Sequence, residues 1–199
     1  MARHLHRDDW VDAALEVIAT RGLHAVAVEP LAASLGVTKG SFYAHFGAQA
    51  ELVAAALERW RHSDTEQVLG SLDEVADPRE RLARFLDIGF GRRRWGRIFA
   101  ALCASAADAQ VEPVMARVRE ARLAYLEAAL RALGLSDGAA HDRATLIYAA
   151  YVGYWRLVAA DENWEYNDRA ARERMAEHLK ATLIPVVTTG RPLGGVDNP

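Results

Sequence analysis

The fold of this chain is decided between Val28 and Phe46, where the sequence is VEPLAASLGVTKGSFYAHF. The first eight residues of this stretch place apolar side chains at the spacing of one helical face. Gly36 then ends the helix, because glycine adopts the left-handed backbone conformation at little steric cost. Thr38 is expected to begin a second helix and to cap it by accepting a backbone hydrogen bond. Two short helices joined by a tight turn form a helix-turn-helix.

The second helix of this motif carries polar side chains around two aromatic anchors, Phe42 and Phe46. In a helix-turn-helix, the second helix can enter the major groove of DNA. The run from Leu31 to Phe46 resembles the DNA-binding signature of the TetR family of bacterial transcription regulators. The resemblance covers roughly residues 8–60 by motif, and beyond them the chain resembles the family in length and helical layout only.

The resemblance implies DNA contacts from residues that share the second helix, namely Thr38, Lys39, Gly40, Ser41, Phe42, Tyr43 and His45. Ser41 and Phe42 are the candidates for base edges, since a hydroxyl bonds to either base type and an aromatic ring can meet a thymine methyl. Core packing is a rival role for Phe42. Gly40 allows close approach, and the remaining four are expected at backbone phosphates, where the helix dipole also acts.

Three positions depart from the usual pattern of the family. Ala27 stands where many relatives carry a hydroxyl, Glu29 where a basic residue is frequent, and Gln49 where a lysine is common. Residues 1–62 hold six basic and seven acidic groups, so their bulk charge does not favour nucleic acid. We therefore expect a weak electrostatic contribution to DNA binding, offset by the placement of individual charges.

Composition predicts a helical protein of one large domain or two small ones. The chain has 199 residues, of which 51% are hydrophobic, and it shows no alternating strand pattern. Cys103 is the single cysteine, which excludes an intramolecular disulfide and a two-cysteine metal site and indicates a reducing compartment. Neither a signal-peptide pattern nor a long uncharged apolar run occurs, so a cytoplasmic protein without membrane contact is expected.

About nine helices and no strands are predicted, which is an all-α fold. Asp77 and Pro78 are typical of an N-cap followed by proline at the first helical position. Glycines weaken the region around residues 92–94. The other helices outside the motif are expected at about residues 8–21, 48–69, 95–106, 112–133, 138–160 and 168–187.

The predicted helices divide into two functional parts. Residues 1–70 form a DNA-binding domain with its helix-turn-helix at 28–46, and residues 71–189 form an effector-binding and dimerisation domain. Residues 190–199 are expected to be a disordered tail. An arginine cluster near the start of the second domain is either a second phosphate patch or a solvated loop at the joint. It consists of Arg92, Arg93, Arg94 and Arg97.

The second domain is rich in aromatic side chains that are candidates for lining a ligand pocket. Each of them alone is typical of ordinary core. As a group they offer apolar walls with a few hydroxyl and indole groups, the usual composition of a small-molecule site, and TetR-like proteins generally bind a small effector there. The candidates are Phe85, Phe90, Trp95, Phe99, Cys103, Met115, Tyr125, Tyr148, Tyr151 and Trp155.

The resemblance implies a homodimeric repressor that reads a pseudo-palindromic operator and is released by a small apolar or aromatic effector. Its last two helices would pair with those of a second copy, and the apolar excess between Leu146 and Leu157 supports this. Two alternatives stay open: a ligand-requiring regulator or activator of the same fold, and a ligand-binding dimer that has lost DNA binding. No catalytic constellation, metal-ligand spacing or cofactor motif is found.

Overall fold

The chain is helical throughout the part that the structure describes. The computed structural model describes residues 5–161, 164 and 167–185. Within these residues there are nine α-helices and no strand, which confirms the predicted all-α fold. Helix α4 consists of Gln49–Arg61 and Gln67–Asp73, joined by a π-helical turn at His62–Glu66. The others are α1 (Arg7–Arg21), α2 (Val28–Leu35), α3 (Lys39–Tyr43), α5 (Pro78–Gly91), α6 (Arg93–Ala104), α7 (Val111–Ala132), α8 (Asp137–Ala160) and α9 (Arg169–Leu183).

Local signals in the sequence set several helix ends. Asp77 Oδ1 accepts a hydrogen bond of 2.9 Å from the backbone N–H of Arg79, and Pro78 occupies the first position of α5, as predicted. Gly36 ends α2 with a left-handed φ of 71°. Thr38 precedes α3 in the extended conformation, but its side chain makes no capping hydrogen bond, so that part of the prediction was wrong.

Two predicted boundaries are corrected by packing. Helix α4 continues past Gly70 to Asp73, because Val68 and Leu72 are both buried and their burial outweighs the helix-weakening effect of glycine. Helix α6 begins at Arg93 rather than near residue 95. The predicted tail at 190–199 lies outside the described residues.

One hydrophobic core extends from Leu5 in the N-terminal part to Ile184 after α9. Helix α1 packs against α4 and α6, α7 against α8, and α9 against α5. The indole of Trp60 in α4 lies 6.3 Å from the ring of Phe99 in α6. The two parts therefore share a core, and their division by function stays a prediction. No helix among the described residues has the length and apolar character needed to cross a bilayer.

Helix α6 lies against α8 at a glycine. The Trp155 side chain is fully buried, and its Nε1 donates a hydrogen bond of 3.3 Å to the carbonyl of Gly89. A Cβ built on Gly96 would stand 2.1 Å from a ring atom of Trp155. The absence of a side chain at Gly96 is therefore what lets the indole lie between α6 and α8.

Replacing Gly96 with alanine should destabilise the protein by about 1–3 kcal/mol, because the added methyl overpacks the contact with Trp155. Urea unfolding followed by circular dichroism measures this change. Gly138→Ala is the matched control, since nothing lies within 4 Å of a Cβ at Gly138. If both variants unfolded at the same urea concentration as the parent protein, the close packing at Gly96 would be refuted.

Candidate DNA interface and effector cavity

Helix α3 is held to the rest of the N-terminal part by aromatic packing. Phe42 is fully buried, and its ring meets Trp10 of α1 edge-on at 5.3 Å and stacks on Phe46 at 5.5 Å. The guanidinium of Arg7 lies 4.6 Å from the ring of Phe46. These contacts fix which face of α3 points inward.

The opposite face of α3 is open to solvent. Thr38, Lys39, Gly40 and Tyr43 are exposed, while Ser41 and His45 are half-buried. Tyr43 is 55% exposed even though its ring touches that of Phe42. For Phe42 the suggested base contact is wrong in this structure, because the ring is enclosed by Trp10 and Phe46. Its rival role in the core is the one that the packing shows.

Lys39, at the first position of α3, is paired with an acidic residue of α2. Its Nζ lies 2.5 Å from Glu29 Oε1. The hydrogen bond from Lys39 holds the pKa of the Glu29 carboxyl below its usual value and raises the pKa of the ammonium. Both side chains are more than half exposed, so the pair contributes little to folding. It does neutralise the cation that α3 presents at its N-terminus.

The start of α4 is engaged with its own surroundings. The Gln49 amide donates a hydrogen bond of 2.7 Å to the carbonyl of Val26, which ties α4 to the segment that precedes α2. Glu51 accepts one of 2.8 Å from the backbone N–H of Gly47. The Gln49 side chain therefore supports the packing of the motif in this conformation.

The arginine cluster lies where α5 meets α6. Arg92 Nη1 donates a hydrogen bond of 3.0 Å to the carbonyl of Ser63 in α4. Arg94 Nε donates one of 3.2 Å to Glu16 of α1, and both guanidinium groups lie over the Trp95 ring, at 5.0 and 5.5 Å. These contacts favour a structural role at the joint over a second phosphate patch.

A cavity with mostly apolar walls lies between α4, α5, α7 and α8. It encloses about 440 Å³ of empty space, part of which opens to solvent, and about 20 Å³ of it admits the centre of a water molecule. This is room for about one water molecule, so binding of a larger ligand requires the cavity to widen. Its lining residues are Asp64, Val68, Phe85, Leu86, Ile88, Gly89, Phe90, Arg122, Ile147, Tyr148 and Tyr151.

Four of the ten candidate pocket residues line this cavity: Phe85, Phe90, Tyr148 and Tyr151. Three others pack directly behind them. The Tyr125 ring stacks on Phe85 at 5.9 Å, while Phe99 and Trp155 lie against Tyr151.

The remaining three candidates lie elsewhere in the second domain. Trp95 is at the joint, between two arginines. Cys103 and Met115 are half-buried at the edge of the core.

Sequence reasoning missed the two charged residues of the cavity. Arg122 of α7 is 5% exposed and Asp64 of α4 is 8% exposed, and Arg122 Nη2 donates a hydrogen bond of 2.6 Å to Asp64 Oδ2. A signal for the arginine was available, because Arg122 lies four residues from both Val118 and Leu126, which are fully buried. A charge within an apolar helical stripe indicates a buried partner.

The cavity raises the pKa values of its acids. Burial raises the pKa of Asp64 against the opposing effect of Arg122 and Arg92, and it raises those of Tyr148 and Tyr151. Both phenols therefore stay protonated at neutral pH and can donate hydrogen bonds. Burial alone would lower the pKa of Arg122, but Tyr151 and Asp64 outweigh it, so the guanidinium stays charged.

Neither thiol nor metal chemistry is indicated at these sites. Burial raises the pKa of the Cys103 thiol, which disfavours the reactive thiolate. Among the described residues, no group of three His, Cys, Asp or Glu side chains is placed to hold a metal ion.

Helix α8 presents an apolar face that no other described part of the chain covers. Leu146 and Leu157 are 58% and 53% exposed. Ala149 and Gly153, which lie between them at helical spacing, are exposed as well. A stripe with large side chains at its ends and small ones at its centre suits close packing against another helix.

Comparisons with known proteins place these features in one family. Residues 11–56 match the family model described as bacterial regulatory proteins, tetR family. The chain is 29% identical over 175 residues to the HTH-type transcriptional activator FasR of Mycolicibacterium smegmatis, which covers 85% of this chain and 76% of that protein.

Solved structures share the fold at lower identity. A transcriptional regulator from Saccharomonospora viridis in complex with choline has a TM-score of 0.74 at 18% identity, over 90% of this chain and 98% of that one. AibR in complex with isovaleryl coenzyme A and operator DNA has a TM-score of 0.68 at 19% identity, over the same shares of the two chains. These structures show a shared fold. The family model matched over the helix-turn-helix and the likeness to FasR identify the chain as a DNA-binding transcription regulator of the TetR family.

Proposed function

We propose that the protein is a cytoplasmic homodimeric repressor that binds a pseudo-palindromic operator through α3 and releases it when a small apolar or aromatic effector enters the cavity. One observation supports this proposal above all. The solvent-exposed face of α3 belongs to a packed helix-turn-helix, and the helix that follows the motif, α4, also lines the cavity. Thr38, Lys39 and Tyr43 are exposed on α3, and Asp64 and Val68 of α4 belong to the cavity wall.

The two sites are connected through α4. Its first half packs on α1, which holds Phe42 of α3, and its second half contributes to the cavity. A ligand that favours one position of α4 therefore favours one position of α3, which is a coupling between two sites. The exposed stripe of α8 supports dimerisation, because a two-fold contact requires a self-complementary face.

A second candidate is an activator of the same architecture. It is favoured by FasR, the relative that is named as a transcriptional activator. Both candidates bind DNA through the same face. They differ in where the operator lies relative to the promoter.

Selection of genomic DNA fragments by the purified protein, at low and at moderate salt, tests the proposal. A homodimer should enrich one pseudo-palindromic site that survives the higher salt, because base contacts persist while phosphate contacts weaken. A reporter gene behind that site should be silenced by the protein if it is a repressor and induced if it is an activator. Binding that shows no sequence preference and is lost at moderate salt would contradict both the repressor and the activator.

The double variant Leu146→Glu, Leu157→Glu is the control for the dimer. Both side chains are exposed, so the variant should fold but sediment as a monomer, and it should lose the palindromic site at moderate salt. A variant that still sediments as a dimer would place the two-fold contact elsewhere.

The pairing of Lys39 with Glu29 should weaken the DNA binding of this chain. Glu29→Gln removes the paired carboxylate and leaves the Lys39 ammonium free for a phosphate. DNA affinity should rise for all sequences alike, and the plot of log affinity against log salt should steepen by about 0.9. Fluorescence anisotropy with the selected site and with an unrelated fragment, over a range of salt, measures both effects.

Glu74→Gln is the matched control, since it removes the same charge from an exposed residue that directly follows the last residue of α4. It should leave affinity and salt slope unchanged. If Glu29→Gln left them unchanged as well, or tightened binding to one sequence only, Lys39 would not be a phosphate contact.

Substitutions of two neighbouring aromatic residues of α3 should have different effects on DNA binding and on stability. Tyr43→Ala should weaken DNA binding, while the free energy of unfolding falls by less than about 1.5 kcal/mol, since only an aromatic edge contact is lost. Phe42→Ala should lower that free energy by about 3–5 kcal/mol, because it leaves a cavity beside Trp10. Urea unfolding and anisotropy on both variants measure this, and a Tyr43→Ala variant as unstable as Phe42→Ala would place Tyr43 in the core.

A further inference from the structure

The cavity contains a buried guanidinium, which is unusual for a site that binds a purely apolar molecule. Arg122 Nη2 donates hydrogen bonds to Asp64 Oδ2 at 2.6 Å and to the Asp64 carbonyl at 3.2 Å. Its Nε donates one of 3.3 Å to Thr65 Oγ1, and its Cζ lies 5.2 Å from the centre of the Tyr151 ring. A charge in such surroundings is costly without a partner, and the partner here is supplied by α4.

The charges around the cavity do not balance. Asp64 and Arg122 are the two charged residues among the described ones that line it. A second guanidinium, that of Arg92, has its Nη1 3.8 Å from Asp64 Oδ1. The Asp64 carboxylate thus faces two guanidinium groups, and a bound anion would reduce this excess of positive charge, whereas a cation would increase it.

The rest of the cavity wall suits an apolar body with one polar end. Phe85, Phe90 and Ile147 supply apolar surface, and Tyr148 and Tyr151 are protonated phenols. A phenol next to a guanidinium donates to a carboxylate, and charge-assisted hydrogen bonds of this kind are the strong ones. The planar guanidinium also matches a carboxylate in shape.

We propose that the effector is an amphipathic carboxylic acid, whose carboxylate takes Arg122 from Asp64 and whose apolar body lies against Phe85, Phe90 and Ile147. This inference rests on the proposed function of the cavity as the effector site. The displaced Asp64 carboxylate moves onto Arg92, which already lies 3.8 Å away at the joint between α5 and α6. Ligand binding thereby replaces the ion pair between Asp64 and Arg122 with one between Asp64 and Arg92.

The position of Asp64 gives this exchange a consequence for DNA binding. Asp64 and Thr65, both buried, lie in the π-helical turn His62–Glu66 of α4, a local irregularity that is frequent at functional sites. The exchange releases two side chains of this turn from Arg122. Since α4 packs on α1, whose Trp10 contacts Phe42 of α3, the turn is where the ligand acts on the DNA-binding part.

Matched ligands of equal shape and different charge test this inference. Octanoate, octanamide and octylamine form one series, and phenylbutyrate with its amide and amine forms a second. Binding to the full-length protein without DNA is measured by calorimetry and by the rise in melting temperature. We expect binding of at least one carboxylate at millimolar concentration or below, with an affinity roughly tenfold or more above those of its amide and amine.

Two variants assign the selectivity to the ion pair. Asp64→Asn removes the competing carboxylate, so it should tighten carboxylate binding by roughly tenfold and enlarge the rise in melting temperature. The double variant Asp64→Asn, Arg122→Gln leaves no unpaired charge between the two positions, so it should fold and bind acid and amide equally weakly. Arg131→Gln is a surface control near the end of the same helix, where the guanidinium pairs with Glu127 and Asp137, and it should retain the preference for the acid.

Three outcomes would overturn the inference: no carboxylate binds, the amide or amine binds as tightly as the acid, or Asp64→Asn weakens acid binding in a folded protein. Release of the selected DNA fragment, followed by anisotropy, separates this failure from that of the proposed function. If a neutral compound released the DNA fragment while carboxylic acids had no effect, the proposed function would be supported and the carboxylic acid would be refuted as the effector. If carboxylic acids bound selectively but never changed the affinity for DNA, the cavity would be confirmed as a carboxylic acid site and its role as the effector site would be refuted.

Discussion

Burial of the Arg122 guanidinium is the constraint on which the rest of the structure depends. A guanidinium inside an apolar core must have a partner, and the partner is Asp64, which is 58 residues distant in sequence. Asp64 reaches Arg122 from the π-helical turn His62–Glu66, where it and Thr65 are buried. Helix α4 is thus irregular where it borders the cavity, and its two halves contact different parts of the molecule.

The first half of α4 makes the DNA-binding part a single packed body. Leu52, Leu57 and Trp60 of α4 are fully buried, α4 packs on α1, and Trp10 of α1 contacts Phe42 of α3. Interiors packed in this way transmit displacement rather than absorb it. In the proposed function, a shift at the π-helical turn therefore changes the position of α3 and, in the proposed dimer, the distance between the two recognition helices.

Features that depend on neighbours in sequence could be predicted from the chain alone. The turn at Gly36 and the start of α5 at Asp77 are of this kind, because backbone conformation and capping act over a few residues. The end of the helix predicted at residues 48–69 was wrong, because burial of Val68 and Leu72 in the folded core decides that α4 continues to Asp73.

In the candidate sites too, features that depend on tertiary packing could not be predicted from the sequence. The open face of α3 follows from its motif, yet the burial of Phe42 depends on Trp10, 32 residues earlier in the sequence. Half of the aromatic pocket candidates do not line the cavity. Composition could not separate them from those that do, because cavity walls and core contain the same types of side chain. The pairing of Arg122 with Asp64 depends on how α7 meets α4, and no local pattern contains that information.

Helix α8 joins the two events that the proposed function requires. One side of it carries Ile147, Tyr148 and Tyr151, which line the cavity, and another carries the exposed stripe from Leu146 to Leu157. If this stripe forms the two-fold contact, the same rigid helix touches the ligand and the second subunit. A ligand that pushes Tyr148 or Tyr151 outward then changes the packing between subunits as well as the position of α4. In the proposed function, both effects act on the separation of the recognition helices, so one small cavity in each subunit would control the binding of a two-fold operator.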